Sequence, residues 1–534
     1  MTSRGNVQIG RLSAIAVALA VAVGSIVLPS ADAAPAQELR WGPCPAIHDA
    51  SPAARCATVQ VPLDHAMPSG PTIDIMISRL PARDPGRRRG VLIGNPGGPG
   101  SDAIGMFSRL PVPDEMRDEW DLVGVQPRGL LSSTPLTCTP VSDSQQLALL
   151  TEGGALHRRR CAASAPAYLR TITTENTARD IEVVRRVLGV SKVSLYGISY
   201  GTLLMSTYAT LFGQRTDRLV LDSAVNPALV WNGIPGSQTQ AFKSRMNEML
   251  VWIAKHDNIY HLGRTPLAVY RQWSAKIVAE SGVPPSLAAP PAQVGDVPPG
   301  LRAIAQQYLA GVNLTADARA RVENLIATLT VPGIQSNSLL LSITRIAVPD
   351  RNKWPFVAMR INGRAQPKAE PDPEVVAILT SLQDLQSVIM CNENQMPAQP
   401  LQVPASVFLN GVVADVFDGP GLYYQSGMAC AGAPAVTTPV AVTNNHLAVQ
   451  PLQLQARDDP QTPYRESLAM HRLMGSHLIT VGGGDHAQLG RSHPPLDRAI
   501  VEYLRTGTTT VTEVPEPPIT ASLTTPPTTG IGRL

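Results

Sequence analysis

The sequence predicts an α/β fold, with a mostly parallel central sheet, helices on both faces and a large helical insertion. Three observations carry this expectation. Short β-rich runs at 90–93, 121–125, 192–196 and 219–221 alternate with helical periodicity in the first half of the chain. From about residue 229 the pattern turns helical, with apolar residues at i, i+3 and i+4 over 238–282 and 300–345. Sheet-like runs then return at 452–456 and 478–481, ahead of a last helix near 496–504.

The elements follow in order. A short segment at 34–60 is bounded by cysteines. Alternation at 58–61 and 72–77 reads as two strands. The run 90–93 leads straight into Asn95-Pro96-Gly97-Gly98-Pro99-Gly100-Ser101, which no regular element could hold. The run 121–125 ends in Pro127-Arg128-Gly129. Over 177–188, Ile181, Val184 and Leu188 share one helical face and Gly189 stops the helix. The strand 192–196 runs through Gly197 into a helix at about 200–212, and the strand 219–221 ends at Asp222. A Pro-rich connector, 284–300, divides the helical region. Thr and Pro dominate 508–534, which is expected to be a disordered tail. The chain therefore divides into 1–33, a sheet-bearing core at 34–228, an inserted helical cap at 229–430, the rest of the core at 431–507, and the tail 508–534.

A chain of 534 residues exceeds one compact core, which fits a domain with an insertion. The net charge of +3 leaves no basic surplus for nucleic acid or an acidic membrane surface. Arg87, Arg88 and Arg89, and Arg158, Arg159 and Arg160, read as solvated loop charges. At the N-terminus Arg4 and Arg11 precede an apolar run from 12 to 28, followed by Ala31-Asp32-Ala33-Ala34. That is the pattern of a signal peptide cleaved after Ala33; the run is at the short edge for an uncleaved membrane anchor. No later segment has the length and apolarity of a membrane span, so a secreted or cell-envelope location without stable membrane insertion is expected. Export makes three disulfides plausible for the six cysteines. Sequential pairing closes the shortest loops and gives Cys44–Cys56, Cys138–Cys161 and Cys391–Cys430. No Cys/His spacing suits zinc, so neither a metal nor a cofactor is expected.

The chemistry centres on Gly197-Ile198-Ser199-Tyr200-Gly201. In a G-x-S-x-G turn between strand and helix, small glycines let the backbones pack closely while the serine hydroxyl projects from a strained corner. A serine hydroxyl needs a base, and the base needs an orienting carboxylate. Among ten histidines, His486 follows the last strand on Gly482-Gly483-Gly484-Asp485, where a base belongs; His493 is the runner-up, and His471 and His477 read as structural. Asp459 follows the strand 452–456, with Asp458 and Asp415 as rivals. The long stretch between Ser199 and Asp459 exceeds what the sheet needs. Helices inserted there would sit over the strands' C-terminal ends, as a cap that selects substrate and excludes water. The oxyanion of an acyl-transfer transition state needs two N–H donors, expected from Tyr200 and from the Gly97-Gly98 loop.

These stretches resemble the secreted tripeptidyl aminopeptidases of actinobacteria, α/β-hydrolases related to prolyl iminopeptidases. The matching segments are Asn95 to Gly100, Val123-Gly124-Val125-Gln126-Pro127-Arg128-Gly129, Tyr196 to Thr202, Val220-Leu221-Asp222-Ser223, Asp459-Pro460-Gln461-Thr462-Pro463 and Asp485-His486. They run in family order across about 40–507. The resemblance implies the α/β-hydrolase fold, a triad of Ser199, Asp459 and His486, an oxyanion loop at Gly98, a helical cap at about 229–430 and a disulfide framework of the six cysteines. The sequence departs from the family at Gln126, usually Asp, at Asp485, usually Gly, and at His493-Pro494-Pro495, where a late cysteine is absent.

The leading expectation is a serine exopeptidase releasing short peptides, tripeptides by resemblance, from free N-termini. It would need an acidic group to meet the substrate ammonium; Glu248, Asp384 and Asp415 compete for that place. Two alternatives remain: a carboxylesterase or lipase using the same triad, and a catalytically silent binding protein on the same fold.

Overall fold

The computed structural model describes residues 37–162, 165–330, 338–366, 373–396 and 416–526. The expected signal segment 1–33 and the rival carboxylate Asp415 lie outside the described residues.

Among the described residues nine strands form one sheet in the order β1-β2-β4-β3-β5-β6-β7-β8-β9. Two strands, β1 (Arg55–Pro62) and β2 (Thr72–Leu80), form an antiparallel pair, and β2 is also antiparallel to β4 (Trp120–Val125). From there on, β3 (Gly90–Asn95), β5 (Val193–Ile198), β6 (Thr216–Asp222), β7 (Leu452–Ala456), β8 (His477–Val481) and β9 (Glu513–Val514) run parallel. β4 and β5 are buried along their whole length, as continuous apolar runs in a parallel sheet covered on both faces should be. Successive residues feed opposite cores. Ile93, Leu195 and Leu221 join one face, while Leu92, Tyr196 and Val220 join the other. The strand order reverses at β3, so a crevice opens at the C-terminal ends of β3 and β5, where such sheets bind ligands.

The longer helices of the first half are α1 (Gln146–Ala162), α2 (Thr174–Val187) and α3 (Tyr200–Leu211). The Thr173 hydroxyl caps α2 by accepting from Asn176 N. Its Ile181 and Val184 stripe is buried in the core below the sheet. Arg128, from the Pro-Arg-Gly turn after β4, is fully buried and forks onto the Asp180 carboxylate of α2 at 2.6 and 2.8 Å. It also donates to Pro62 O and Leu63 O, so one guanidinium ties β1, β4 and α2 together.

Between β6 and β7 the chain is helical: α4 (Ile234–Lys255), α5 (Pro266–Ser281), α6 (Ala305–Thr330), α7 (Leu339–Ala347), α8 (Trp354–Ile361), α9 (Pro373–Glu393) and α10 (Asp418–Gln425). Met246, Met249, Leu250, Trp273, Ile277, Trp354 and Val357 give this insertion a core of its own. α9 differs, because its Leu385, Val388 and Ile389 pack into the core of the sheet instead. Two further helices complete the fold: α11 (Tyr464–Met474) connects β7 to β8, and α12 (Pro494–Thr506) follows β8. Among the described residues no helix is long and apolar enough to cross a membrane.

The six cysteines pair sequentially, as Cys44–Cys56, Cys138–Cys161 and Cys391–Cys430.

Two expectations are corrected. Arg158, Arg159 and Arg160 lie in α1 and not in a loop, and Arg160 is buried, donating to Thr139 O and Asp384. The segment expected as a disordered tail is ordered over 508–526: it adds β9 to the sheet and runs on against the insertion. Thr480 N and Gly482 N donate to Thr512 O and Val514 O. Arg457 pairs with Glu513 and Arg351 with Glu516. Backbone pairing at a sheet edge needs no apolar periodicity, so a Thr/Pro-rich composition can hide it.

Candidate active site

β5 passes into α3 through a single residue in the left-handed region, Ser199, at φ 56° and ψ −123°. A Cβ on Gly197 would lie 2.2 Å from Gly201 O, so the turn closes only with glycine there. Its backbone is pinned on both sides: Ser199 N donates to Asp222 O at 2.9 Å, and the Thr202 hydroxyl donates back to Ser199 O at 2.6 Å. The Ser199 side chain is half-buried and makes no hydrogen bond among the described residues.

Asp459 is buried at the end of β7. It accepts from Gln461 N at 2.8 Å, Thr462 N at 3.1 Å and the Thr462 hydroxyl at 2.9 Å. The His486 imidazole meets it through Nδ1 at 2.9 and 3.1 Å, which leaves Nε2 open. A carboxylate held in place by N–H and O–H donors fixes the orientation of the ring that it accepts from. Between β5 and β7 lies β6, whose last residues tie the parts together. Asp222 accepts from Gln488 N and Leu489 N at 2.9 and 3.0 Å, and Ser223 Oγ accepts from Ala487 N at 3.0 Å. Burial pushes the Asp222 carboxyl up, and these N–H groups together with the Tyr196 hydroxyl draw it back. The serine turn and the histidine loop thus both rest on Asp222, and Ser223 adds a second hold on the histidine loop.

The Gly97-Gly98 loop after β3 lies close to the serine turn. A Cβ on Gly97 would meet Ile198 O at 2.5 Å and Tyr200 N at 3.2 Å, so Gly97 is the residue that lies against the serine turn. Gly98 is next along, at φ 105°, with its carbonyl accepting from Gln386 of α9 at 3.3 Å.

The rivals fall elsewhere. Asp458 is exposed; His493 is buried at the start of α12, away from the Asp459–His486 pair. Of the acids weighed for an ammonium, Glu248 pairs with Arg245, and Asp384 faces Arg160 at 3.4 Å. His471 and His477 hold a serine hydroxyl and a backbone carbonyl, respectively. Cys138, Cys161 and Asp384 converge, but both sulfurs are in a disulfide and offer no thiolate to a metal.

The TAP-like protein family model matches residues 419–515, and the alpha/beta hydrolase fold model matches residues 90–308. The tripeptidyl aminopeptidase of Streptomyces lividans is 26% identical over 516 residues, covering 89% of this chain and 86% of its own. The chain is similar to the tripeptidyl aminopeptidase family along 89% of its length and has the α/β-hydrolase fold. Serine protease Hip1 of Mycobacterium tuberculosis is 33% identical over 216 residues, covering 36% of this chain and 40% of its own. Carboxylesterase B of the same species is 27% identical over 486 residues, covering 85% of each.

Several residues around this family's site escaped the sequence reading. Glu393, at the end of α9, is almost wholly buried. Its carboxylate accepts from Thr174 N, the Thr174 hydroxyl at 3.1 Å and Trp231 Nε1 at 2.9 Å, and burial pushes its pKa up. The Trp231 ring packs 5.6 Å from Tyr200, whose hydroxyl meets Thr174 at 3.0 Å. Glu393 therefore braces the residue after Ser199. The only hint in sequence was its place two residues past Cys391.

A second group flanks the Gly97-Gly98 loop. His48 joins the Asp102 carboxylate through Nδ1 and the Ser132 hydroxyl through Nε2, both at 2.8 Å. Arg109 completes the Asp102 site at 2.8 Å, and Ile104 N and Gly105 N donate to it at 3.2 Å. Gln126, at the family's usual Asp position, accepts from Ala103 N and donates to Leu131 O, each at 3.0 Å. Together they fasten the exit of the Gly97-Gly98 loop to the 126–132 turn and to the Cys44–Cys56 segment.

The Asp102 carboxyl is held down at about 2 by His48 and Arg109, against the cost of its burial. A depressed pKa contributes stability in full above the unfolded value of about 3.9, and that stability is lost as pH falls toward about 2. Asp102→Asn is therefore expected to remove about 2 kcal/mol of the acid-sensitive stability between those limits. Denaturant titrations at pH 5 and near pH 2.5 check it: the gap between wild type and variant must narrow in acid, and an unchanging gap refutes the assignment.

Proposed function

We propose that the protein is a secreted serine exopeptidase that releases short peptides, tripeptides in the first instance, from free N-termini through an acyl-enzyme. The observation that carries this reading is the Asp459–His486 pair, with Nε2 open, one strand away from a serine held in a strained turn. Ser199 Oγ attacks the scissile carbonyl as its proton passes to His486 Nε2. The tetrahedral oxyanion takes hydrogen bonds from the Tyr200 and Gly98 N–H groups. His486 then returns the proton to the leaving amine, and a water activated by the same imidazole hydrolyses the ester on Ser199.

The peptide reading draws on the family and on relatives named for peptidase activity. The insertion at 229–430 serves as the cap that limits the site to chain ends. The three disulfides suit an oxidising compartment reached through a leader at 1–33. A carboxylesterase is the second reading, favoured by a relative of that name matched along 85% of this chain. Turnover of tripeptidyl p-nitroanilides, with free and acetylated N-termini, against p-nitrophenyl acyl esters decides between them. Cleavage of the free but not the acetylated peptides is expected. Brisk ester hydrolysis with no peptide cleavage would establish the esterase.

A further inference from the structure

The loop that carries His486 is held from outside the core. His486 N donates to Pro349 O of the insertion at 2.9 Å, and His486 O accepts from Arg491 Nη2 at 2.6 Å. The residue before it, Asp485, is buried and sits among three arginines from three parts of the chain. Its Oδ1 accepts from Arg245 Nη2 of α4 at 3.0 Å and from Arg351 N at 2.8 Å. Its Oδ2 accepts from Arg351 Nε at 3.1 Å, with Arg491 Nη1 at 3.9 Å. Arg245 is itself buried, its guanidinium 4.7 Å from the centre of the Trp354 ring. Arg351 reaches the C-terminal segment, pairing with Glu516 at 2.8 Å and donating to Pro517 O, while Asn352 accepts from Thr520 N at 2.8 Å. Arg491 bonds Asp350 at 2.6 Å.

We propose that Asp485 is a positioning residue: it locks the His486 loop to the helical insertion and to the C-terminal segment through Arg245, Arg351 and Arg491. Without the Asp485 carboxylate, Arg245 is left buried beside Trp354 with only Glu248 and the more distant Glu516 to balance it, and the tie between loop and insertion is cut. The imidazole then loses its fixed approach to Ser199, and small displacements of a reacting group cost rate steeply. The lock also makes the corner of the insertion at 349–354 a fixed point, so any opening for substrate takes place elsewhere along it.

The test rests on the serine-hydrolase reading and uses the full chain. Ser199 is modified by a fluorophosphonate, and the second-order rate is followed against pH. The charges set around the His486 loop are Asp459, Asp222 and Asp485, then Arg245, Arg351 and Arg491 with their partners Glu248, Asp350, Lys353 and Glu516. Asp485→Asn removes one negative charge from this set and leaves the arginines in excess, which disfavours the imidazolium. The plateau rate is expected to fall at least ~10-fold, and the acid limb to move to lower pH by about half a unit or more. A variant that is less stable to heat but keeps the wild-type rate and limb would make Asp485 structural only and overturn the proposal. If Asp485→Asn does not fold, Glu516→Gln decides: a smaller shift in the same direction supports the lock, and a wild-type profile overturns it. Wild-type protein that is not labelled at Ser199 marks failure of the hydrolase reading itself, which is a different result.

Discussion

Alanine at position 199 is expected to lower kcat/KM on the best substrate by at least ~10³-fold and to abolish fluorophosphonate labelling. The reason is local. The Ser199 hydroxyl makes no hydrogen bond among the described residues, so its removal takes away the attacking atom and little else. The turn survives, because it is held by Ser199 N on Asp222 O, by Thr202 on Ser199 O and by the glycine contacts. A residual rate above water is expected from the oxyanion donors and substrate binding alone. His486→Ala should cost a similar factor, and the double variant little more, because the two groups act as one unit. Kinetics on the single and double variants, with circular dichroism to show that they fold, check this. Losses that simply multiply would separate Ser199 from His486. Full activity in Ser199→Ala would move the nucleophile elsewhere, and Ser132, bonded to the His48–Asp102 pair, would be the first place to look.

What could be read beforehand was whatever leaves a local trace. Eight of the nine strands lie where alternation or apolar runs put them, because a buried strand must show its burial in its own residues. The serine turn was legible because a strand, two glycines and a helix have to be contiguous there. Asp459 and His486 were legible as residues just past late strands. β9 was not: it is two residues long and pairs through backbone atoms, which carry no side-chain signal. Nor were His48, Asp102 and Ser132, separated by 54 and 84 residues from His48 and joined only in space. Glu393 hid for the same reason, 219 residues from the Thr174 it binds. Asp485 was visible as a departure from the family, but its partners come from α4, the α7–α8 connection and the residues after His486, and no spacing rule unites them.

Asp222→Ala is expected to destabilise the protein by about 3 kcal/mol and to reduce kcat at least ~10-fold, two effects with one cause. Asp222 is fully buried, and its carboxylate is the acceptor for Gln488 N, Leu489 N and the Tyr196 hydroxyl. Truncation leaves four buried donors, the Ser223 hydroxyl among them, without this partner, each costing about 1–3 kcal/mol; the total is reduced because ionising this buried carboxylate is itself unfavourable. The same truncation frees the segment just after His486 from the strand that also holds Ser199 N. Asp222→Asn should recover more than half of both losses, since its amide oxygen can still accept from the two backbone N–H groups. Chemical denaturation and steady-state kinetics on the two variants separate the contributions. If Asp222→Ala loses stability but keeps the wild-type kcat, β6 does not position the base, and the insertion and Arg491 alone hold His486 in place.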